Sequence, residues 1–240
     1  MFANLEDRFE IRAVSAFGHD PRHPVTDGWP HLVDELIEHA ERDGEPVVGV
    51  GHSLGGYLTT LAALKRPGLF RAIILLDSPI LARWKGAAFG VAKRVGLVDR
   101  VTPAGITRDR RATWASSDEA YAHFRNKRAF RDFDPDCLRD YVTLGMRPCG
   151  EGVCLAFDPS IEYRIYRAFP HDLAGAMPAL RIPAGFIFGR ESADARQIGL
   201  ATTRRYFRVV RVEGGHLFPF ERPAVAARAV REMAESLCAR

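Results

Sequence analysis

Val47–Pro67 reads VVGVGHSLGGYLTTLAALKRP. Apolar and small residues from Val47 to Val50 lead straight into Gly51-His52-Ser53-Leu54-Gly55-Gly56, and Tyr57, Leu58, Leu61, Ala62 and Leu64 then recur at helical spacing. The stretch predicts a short buried strand, a tight turn at Ser53 and a helix. Its surroundings follow the same rhythm. Glu10–Phe17 (EIRAVSAF) has strand composition and is broken by GHDPRHP. Trp29, Leu32, Val33, Leu36, Ile37 and Ala40 mark a helix ending near Asp43-Gly44. Arg71–Ile80 (RAIILLDSPI) is a continuous apolar run with Asp77 near its end. Strands apolar on both sides and alternating with helices indicate an α/β fold with a mostly parallel sheet covered on both faces.

From about Leu81 to Ala174 this rhythm stops, and the sequence reads as helical and irregular, without a strong buried strand. It resumes with Ile182–Gly189 (IPAGFIFG), a helical segment around Ala193–Arg204, Tyr206–His216 (YFRVVRVEGGH) and a last helix over Pro223–Leu237. The middle segment is thus expected to fold onto the edge of one core. At 240 residues with 47% hydrophobic content, the chain is long enough for such a core plus an insertion.

Charge and cysteine usage narrow the function classes. Lys and Arg total 34 against 30 for Asp and Glu, an excess that calls for no nucleic-acid partner. The basic segment Arg83–Arg131 reads as a solvated helical face, or as a surface attracting acidic substrates or anionic headgroups. Cys137, Cys149, Cys154 and Cys238 form no CxxC pair and lie near no histidine at metal-ligand spacing. They imply free thiols, a cytoplasmic setting and no metal site. No secretory signal and no run of eighteen apolar residues is present, so no membrane span is expected. Nothing in the sequence sets an oligomeric state.

A serine on a sharp strand-to-helix turn has a strained backbone, and glycines two residues to either side let strand and helix approach. The helix behind it aims its first amides at the reacting centre. Serine needs a positioned base to act as a nucleophile. His216 follows the last strand in EGGHLFPFERP, where Gly214 and Gly215 let the loop swing inward. His19, His23, His31 and His39 belong to the N-terminal loop and first helix, His52 to the turn itself, and His123 and His171 to the middle segment.

The G-x-S-x-G turn of Gly51–Gly55 between strand and helix, the inserted middle segment and the terminal His216 loop together resemble the α/β-hydrolase superfamily, in its serine esterase/lipase-like branch, over nearly the whole chain. The resemblance divides the chain into residues 1–80 (N-terminal part of the core with the nucleophile elbow), 81–174 (helical cap insertion) and 175–240 (C-terminal part of the core). It implies Ser53 as nucleophile, His216 as base and the Leu54 N–H as an oxyanion donor, with no cofactor required. Relatives carry the triad acid after the strand that here ends at Gly189, where the matching residue is Ser192 and Asp194 stands two residues on. Asp77, at the end of the strand beside the elbow strand, is the preferred acid, with Ser192 as a polar neighbour and Asp194 as the alternative.

The expected reaction is hydrolysis of a carboxylic ester or related acyl bond through an acyl-enzyme. The partner is a small molecule with an apolar acyl group, lodged among Trp84, Phe89, Trp114, Phe124, Phe218 and Phe220. The alternatives are another serine-triad activity, such as C–C bond hydrolysis or a cofactor-free haloperoxidase, or an impaired hydrolase-like binding module. The third strand of the superfamily, and the loop behind it that supplies a second oxyanion donor, have no counterpart before Glu10. Either the true start lies upstream, in which case a longer form with the N-terminal strands is expected to be the more stable and more active one, or the chain is a reduced variant of the fold.

Overall fold

The computed structural model describes residues 1–42, 44–193 and 199–239. Asp43 and Asp194 lie outside that range. Helix α1 (Pro30–Glu41) precedes strand β1 (Val47–His52), helix α2 (Leu54–Lys65) and strand β2 (Phe70–Leu76). An insertion follows: α3 (Arg83–Arg94), α4 (Val98–Val101), α5 (Ala104–Arg108), β3 (Thr113–Trp114), α6 (Ser117–Arg125), α7 (Pro135–Leu144), β4 (Met146–Cys149), β5 (Gly152–Leu155), α8 (Pro159–Arg167) and α9 (Leu173–Ala176). The core resumes with β6 (Ala184–Gly189), α10 (Leu200–Thr203), β7 (Arg208–Val212), α11 (Phe218–Glu221) and α12 (Pro223–Cys238).

The main sheet has the order β1-β2-β6-β7 and is parallel throughout. Its central strands carry side chains alternately to two cores, as the two-residue period of a strand demands. Ile73, Leu75, Phe186 and Phe188 join Trp29, Leu32 and Leu58 on the α1/α2 side, while Ala72, Ile74, Leu76 and Ile187 join Val230 and Met233 of α12 on the other. Each buried Leu, Ile, Val, Phe or Met side chain among these contributes about 1.5–3 kcal/mol. Among the described residues no helix is long and apolar enough to cross a membrane.

Two features depart from the sequence reading. Glu10–Phe17 forms no strand. Its apolar residues are split between the two cores, Ile11 on the α12 side and Phe17 on the α1/α2 side. The segment passes from one layer to the other, and β1 is left as an edge of the sheet with Val50 39% exposed. The insertion, read as lacking a strong strand, contains a three-stranded antiparallel sheet, β3-β5-β4. Its strands have only two to four residues, too few for a periodic signal. The β4–β5 hairpin closes through Gly150 at φ 59°, which suits the first central position of a two-residue hairpin turn. This sheet packs with α6 and α7 around a core of its own, formed by Trp114, Phe124, Leu138, Val142 and Leu155.

Candidate active site

Ser53 is the junction between β1 and α2, with φ 50° and ψ −118°. A non-glycine residue there costs about 1–3 kcal/mol and persists only when its neighbours hold it. They do so here. Ser53 N–H donates to Leu76 O at 2.9 Å, and Ser53 O accepts from Gly56 N–H at 3.0 Å and from the Ser78 hydroxyl at 2.7 Å. A Cβ on Gly51 would stand 2.3 Å from the Gly55 carbonyl, so the strand and helix meet only because Gly51 has no side chain.

Asp77 follows β2 directly, with φ 48° and 1% exposure. Its own N–H donates to Ile187 O at 2.8 Å, fixing the strand end. The carboxylate is well supplied with donors: Oδ2 accepts from Gly189 N–H at 3.0 Å and Oδ1 from the Ser192 hydroxyl at 2.8 Å. His216 arrives on the loop after β7. Its Nδ1 lies 3.4 Å from Asp77 Oδ1 and its Nε2 lies 3.2 Å from Ser53 Oγ. The structure therefore brings Ser53, His216, Asp77 and Ser192 into one chain of contacts at the C-terminal ends of β1, β2, β6 and β7, where ligands bind in open parallel sheets.

The His216 loop is held by a set of bonds that sequence reasoning missed. Gly214 N–H donates to Glu191 Oε2 at 2.7 Å and Gly215 N–H to Glu221 Oε2 at 2.6 Å. A Cβ on Gly189 would strike the carbonyl oxygens of Gly215 and Gly214 at 2.1 and 2.3 Å, so this glycine lets the loop lie against β6. His52, the residue before Ser53, places Nε2 2.9 Å from the His216 carbonyl oxygen. A carbonyl only accepts, so the His52 proton sits on Nε2. Burial pushes its pKa down to about 4, keeping the ring neutral. The only sequence signal for this role is its place inside the turn.

Leu54 is the first residue of α2, and its N–H is among the four that a helix leaves without an intrahelical acceptor. Beside Leu54 lies a cavity of about 300 Å³, lined also by Phe17, Arg110, Tyr141, Phe157, Glu162, Ile165 and Tyr166. The aromatic residues expected to form an acyl pocket lie elsewhere. Trp84 is 69% exposed, Trp114 and Phe124 fill the insertion's own core, and Phe218 is buried on the α12 side. Phe89 packs edge-on against Phe169, and Phe220 stacks on Phe133 at 5.1 Å.

Residues 1–229 match the model of the alpha/beta hydrolase family. A type I acyl-CoA thioesterase of Penicillium brevicompactum is 33% identical over 93 residues, 39% of this chain and 19% of that protein. The corresponding enzyme of Penicillium roqueforti is 32% identical over 104 residues, 43% of this chain and 22% of that protein. The aligned part thus spans about a fifth of these curated relatives. Among solved structures, E-2-(acetamidomethylene)succinate hydrolase superposes with a TM-score of 0.76 at 18% identity, covering 98% of this chain and 84% of that one. The thioesterase domain from the curacin biosynthetic pathway gives 0.65 at 18% identity, covering 84% and 72%. An esterase from Mycobacterium tuberculosis gives 0.62 at 22% identity, covering 85% and 66%. With the family match spanning nearly the whole chain, and with its sheet order and inserted helices, the chain belongs to the α/β-hydrolase family.

Proposed function

We propose that the chain hydrolyses a carboxylic ester or thioester through an acyl-enzyme on Ser53. The observation that carries this reading is the run of contacts from Ser53 Oγ through His216 to the buried Asp77 carboxylate, at 3.2 and 3.4 Å. In the first step Ser53 Oγ attacks the scissile carbonyl while His216 Nε2 takes its proton. Asp77 orients the imidazole and stabilises its charged form, and Ser192 and Gly189 N–H in turn hold the carboxylate. The Leu54 N–H receives the developing oxyanion. Collapse of the tetrahedral species breaks the bond to the alcohol or thiol, which leaves with the proton from His216. Water, deprotonated by His216, then attacks the acyl-Ser53 ester, and the acid departs as Ser53 regains its proton.

The thioester branch of this reading is supported by the likeness to acyl-CoA thioesterases, and the ester branch by the likeness to an esterase. The test is turnover of p-nitrophenyl and thioester substrates together with labelling by a fluorophosphonate. Wild-type protein is expected to turn over at least one class and to take up one label on Ser53. Ser53→Ala should lose both, by about 10³-fold or more in rate. Labelling or turnover that survives the substitution would refute the assignment.

A further inference from the structure

Leu54, the residue after Ser53, lines the cavity described above; an acyl group on Ser53 that enters it would be selected by the other lining residues, and this inference rests on the hydrolase reading above. Phe17, Leu54, Phe157 and Ile165 provide apolar wall, and Arg110, Glu162, Tyr141 and Tyr166 provide polar groups. Arg110 Nη1 lies 2.7 Å from Glu162 Oε2, and both side chains are about four-fifths buried. The approach is close but poorly aligned for a hydrogen bond, so Glu162 Oε2 and the buried Arg110 Nε lack hydrogen-bond partners. Glu162 is the single acidic partner of Arg110 among the described residues. Folded proteins rarely leave a buried polar atom such as Arg110 Nε without an acceptor. The hydroxyls of Tyr141 and Tyr166, which also line the cavity, make no hydrogen bond among the described residues and are not among the buried atoms left without a partner, so neither is sealed from solvent. Burial raises both phenol pKa values, so both remain donors.

The charge of the site decides which acceptor suits it. Arg110 and Glu162 together are neutral, and burial raises the pKa of Glu162 against the pull of Arg110. A substrate carboxylate would bring a second negative charge beside Glu162 with no further cation lining the cavity. A neutral carbonyl oxygen accepts from the guanidinium or a tyrosine hydroxyl without that repulsion. We propose that the cavity selects acyl groups carrying a neutral oxygen acceptor, a ketone or amide carbonyl, several bonds from the scissile carbonyl, with Arg110 as the specificity-determining donor.

The experiment compares p-nitrophenyl 5-oxohexanoate, p-nitrophenyl hexanoate and the mono-p-nitrophenyl ester of adipic acid at pH 7.5. The oxo ester should exceed the plain ester by roughly tenfold or more in kcat/KM, the scale of one hydrogen bond from a charged donor, and should exceed the half-ester as well. In Arg110→Met/Glu162→Met, which removes the pair together, the oxo-to-plain ratio should fall to about one. Glu162→Gln keeps Arg110 and leaves the site cationic, so the half-ester should gain roughly tenfold on the oxo ester. An oxo-to-plain ratio at or below one in the wild type, a preference that survives the double substitution, or no gain by the half-ester in Glu162→Gln would each overturn the proposal. Ligand-observed NMR of methyl 5-oxohexanoate and methyl hexanoate with Ser53→Ala separates the two readings. Selective binding of the oxo ester without turnover by the wild type sinks the hydrolase reading alone, and turnover without selectivity sinks this one alone.

Discussion

A Cβ added to Gly51 would meet backbone atoms of Gly55 at 2.3 Å, and one added to Gly56 would meet Ser78 Oγ at 2.2 Å, whereas one added to Gly55 meets nothing within 4 Å. The glycines under steric pressure are therefore Gly51 and Gly56. Gly55, the second glycine of the G-x-S-x-G pattern, is not. Gly55→Ala is expected to hold or raise stability by about 0.5–1 kcal/mol, since alanine restricts the unfolded chain and suits a helix. Gly51→Ala and Gly56→Ala should each cost about 1–3 kcal/mol through overpacking. Urea unfolding of the three variants checks this ranking, and an equal loss in Gly55→Ala would contradict it. The sequence pattern locates the turn but not which of its glycines the fold needs, because the pressure on Gly56 comes from Ser78, more than twenty residues away along the chain. His52 was illegible for a similar reason. Its partner is the carbonyl of His216, which leaves no trace in side-chain spacing.

At the scale of elements, the insertion is tied to the core through Trp29, the N-cap residue of α1. Trp29 is fully buried with φ 64°, donates Nε1–H to Ile165 O of α8 at 2.9 Å and meets Phe169 edge-on at 5.2 Å. Tyr57 of α2 reaches the same Phe169, and Lys93 of α3 donates to the Phe169 carbonyl at 3.0 Å. Trp29→Phe removes the donor, leaves the Ile165 carbonyl buried and opens a small void, so a loss of about 2–4 kcal/mol is expected. The loss should register in denaturant midpoints, and a variant within 0.5 kcal/mol of wild type, on the order of a neutral surface change, would refute this anchoring role. The elements that the sequence announced are those whose apolar residues all serve one core or two opposed faces: α1, β1, α2, β2, β6, β7 and α12. Glu10–Phe17 has the right composition for a strand, yet composition alone cannot reveal that Ile11 and Phe17 belong to different layers.

Across the whole molecule, the site is assembled from residues far apart in sequence, and the arrangement makes its stability depend on pH. His52 has a pKa of about 4 in the fold against 6.5 for an unburied histidine. The unfolded chain thus takes up this proton first as pH falls. The contribution is complete above about pH 6.5, declines through the window from 6.5 to 4, and levels off below it. The group can cost up to about 3 kcal/mol over that window. Urea midpoints at pH 7.5 and 4.5 should fall further for wild type than for His52→Gln, which keeps a donor for the His216 carbonyl but does not titrate; equal slopes would contradict this account. The sequence offered Ser53 and His216 through the resemblance and Asp77 through the convergence of strand ends, but spacing alone left the choice between Asp77 and Asp194 open. Asp77 is buried with its Oδ1 3.4 Å from His216 Nδ1, and Asp194 lies outside the described residues. The most direct measurement is kcat for Asp77→Asn and Asp194→Asn, each confirmed as folded by circular dichroism. Asp77→Asn is expected to lose about 10⁴-fold, as when a triad imidazole is held in the wrong tautomer, and Asp194→Asn to change by about threefold or less; the reverse ranking would move the acid's role to Asp194.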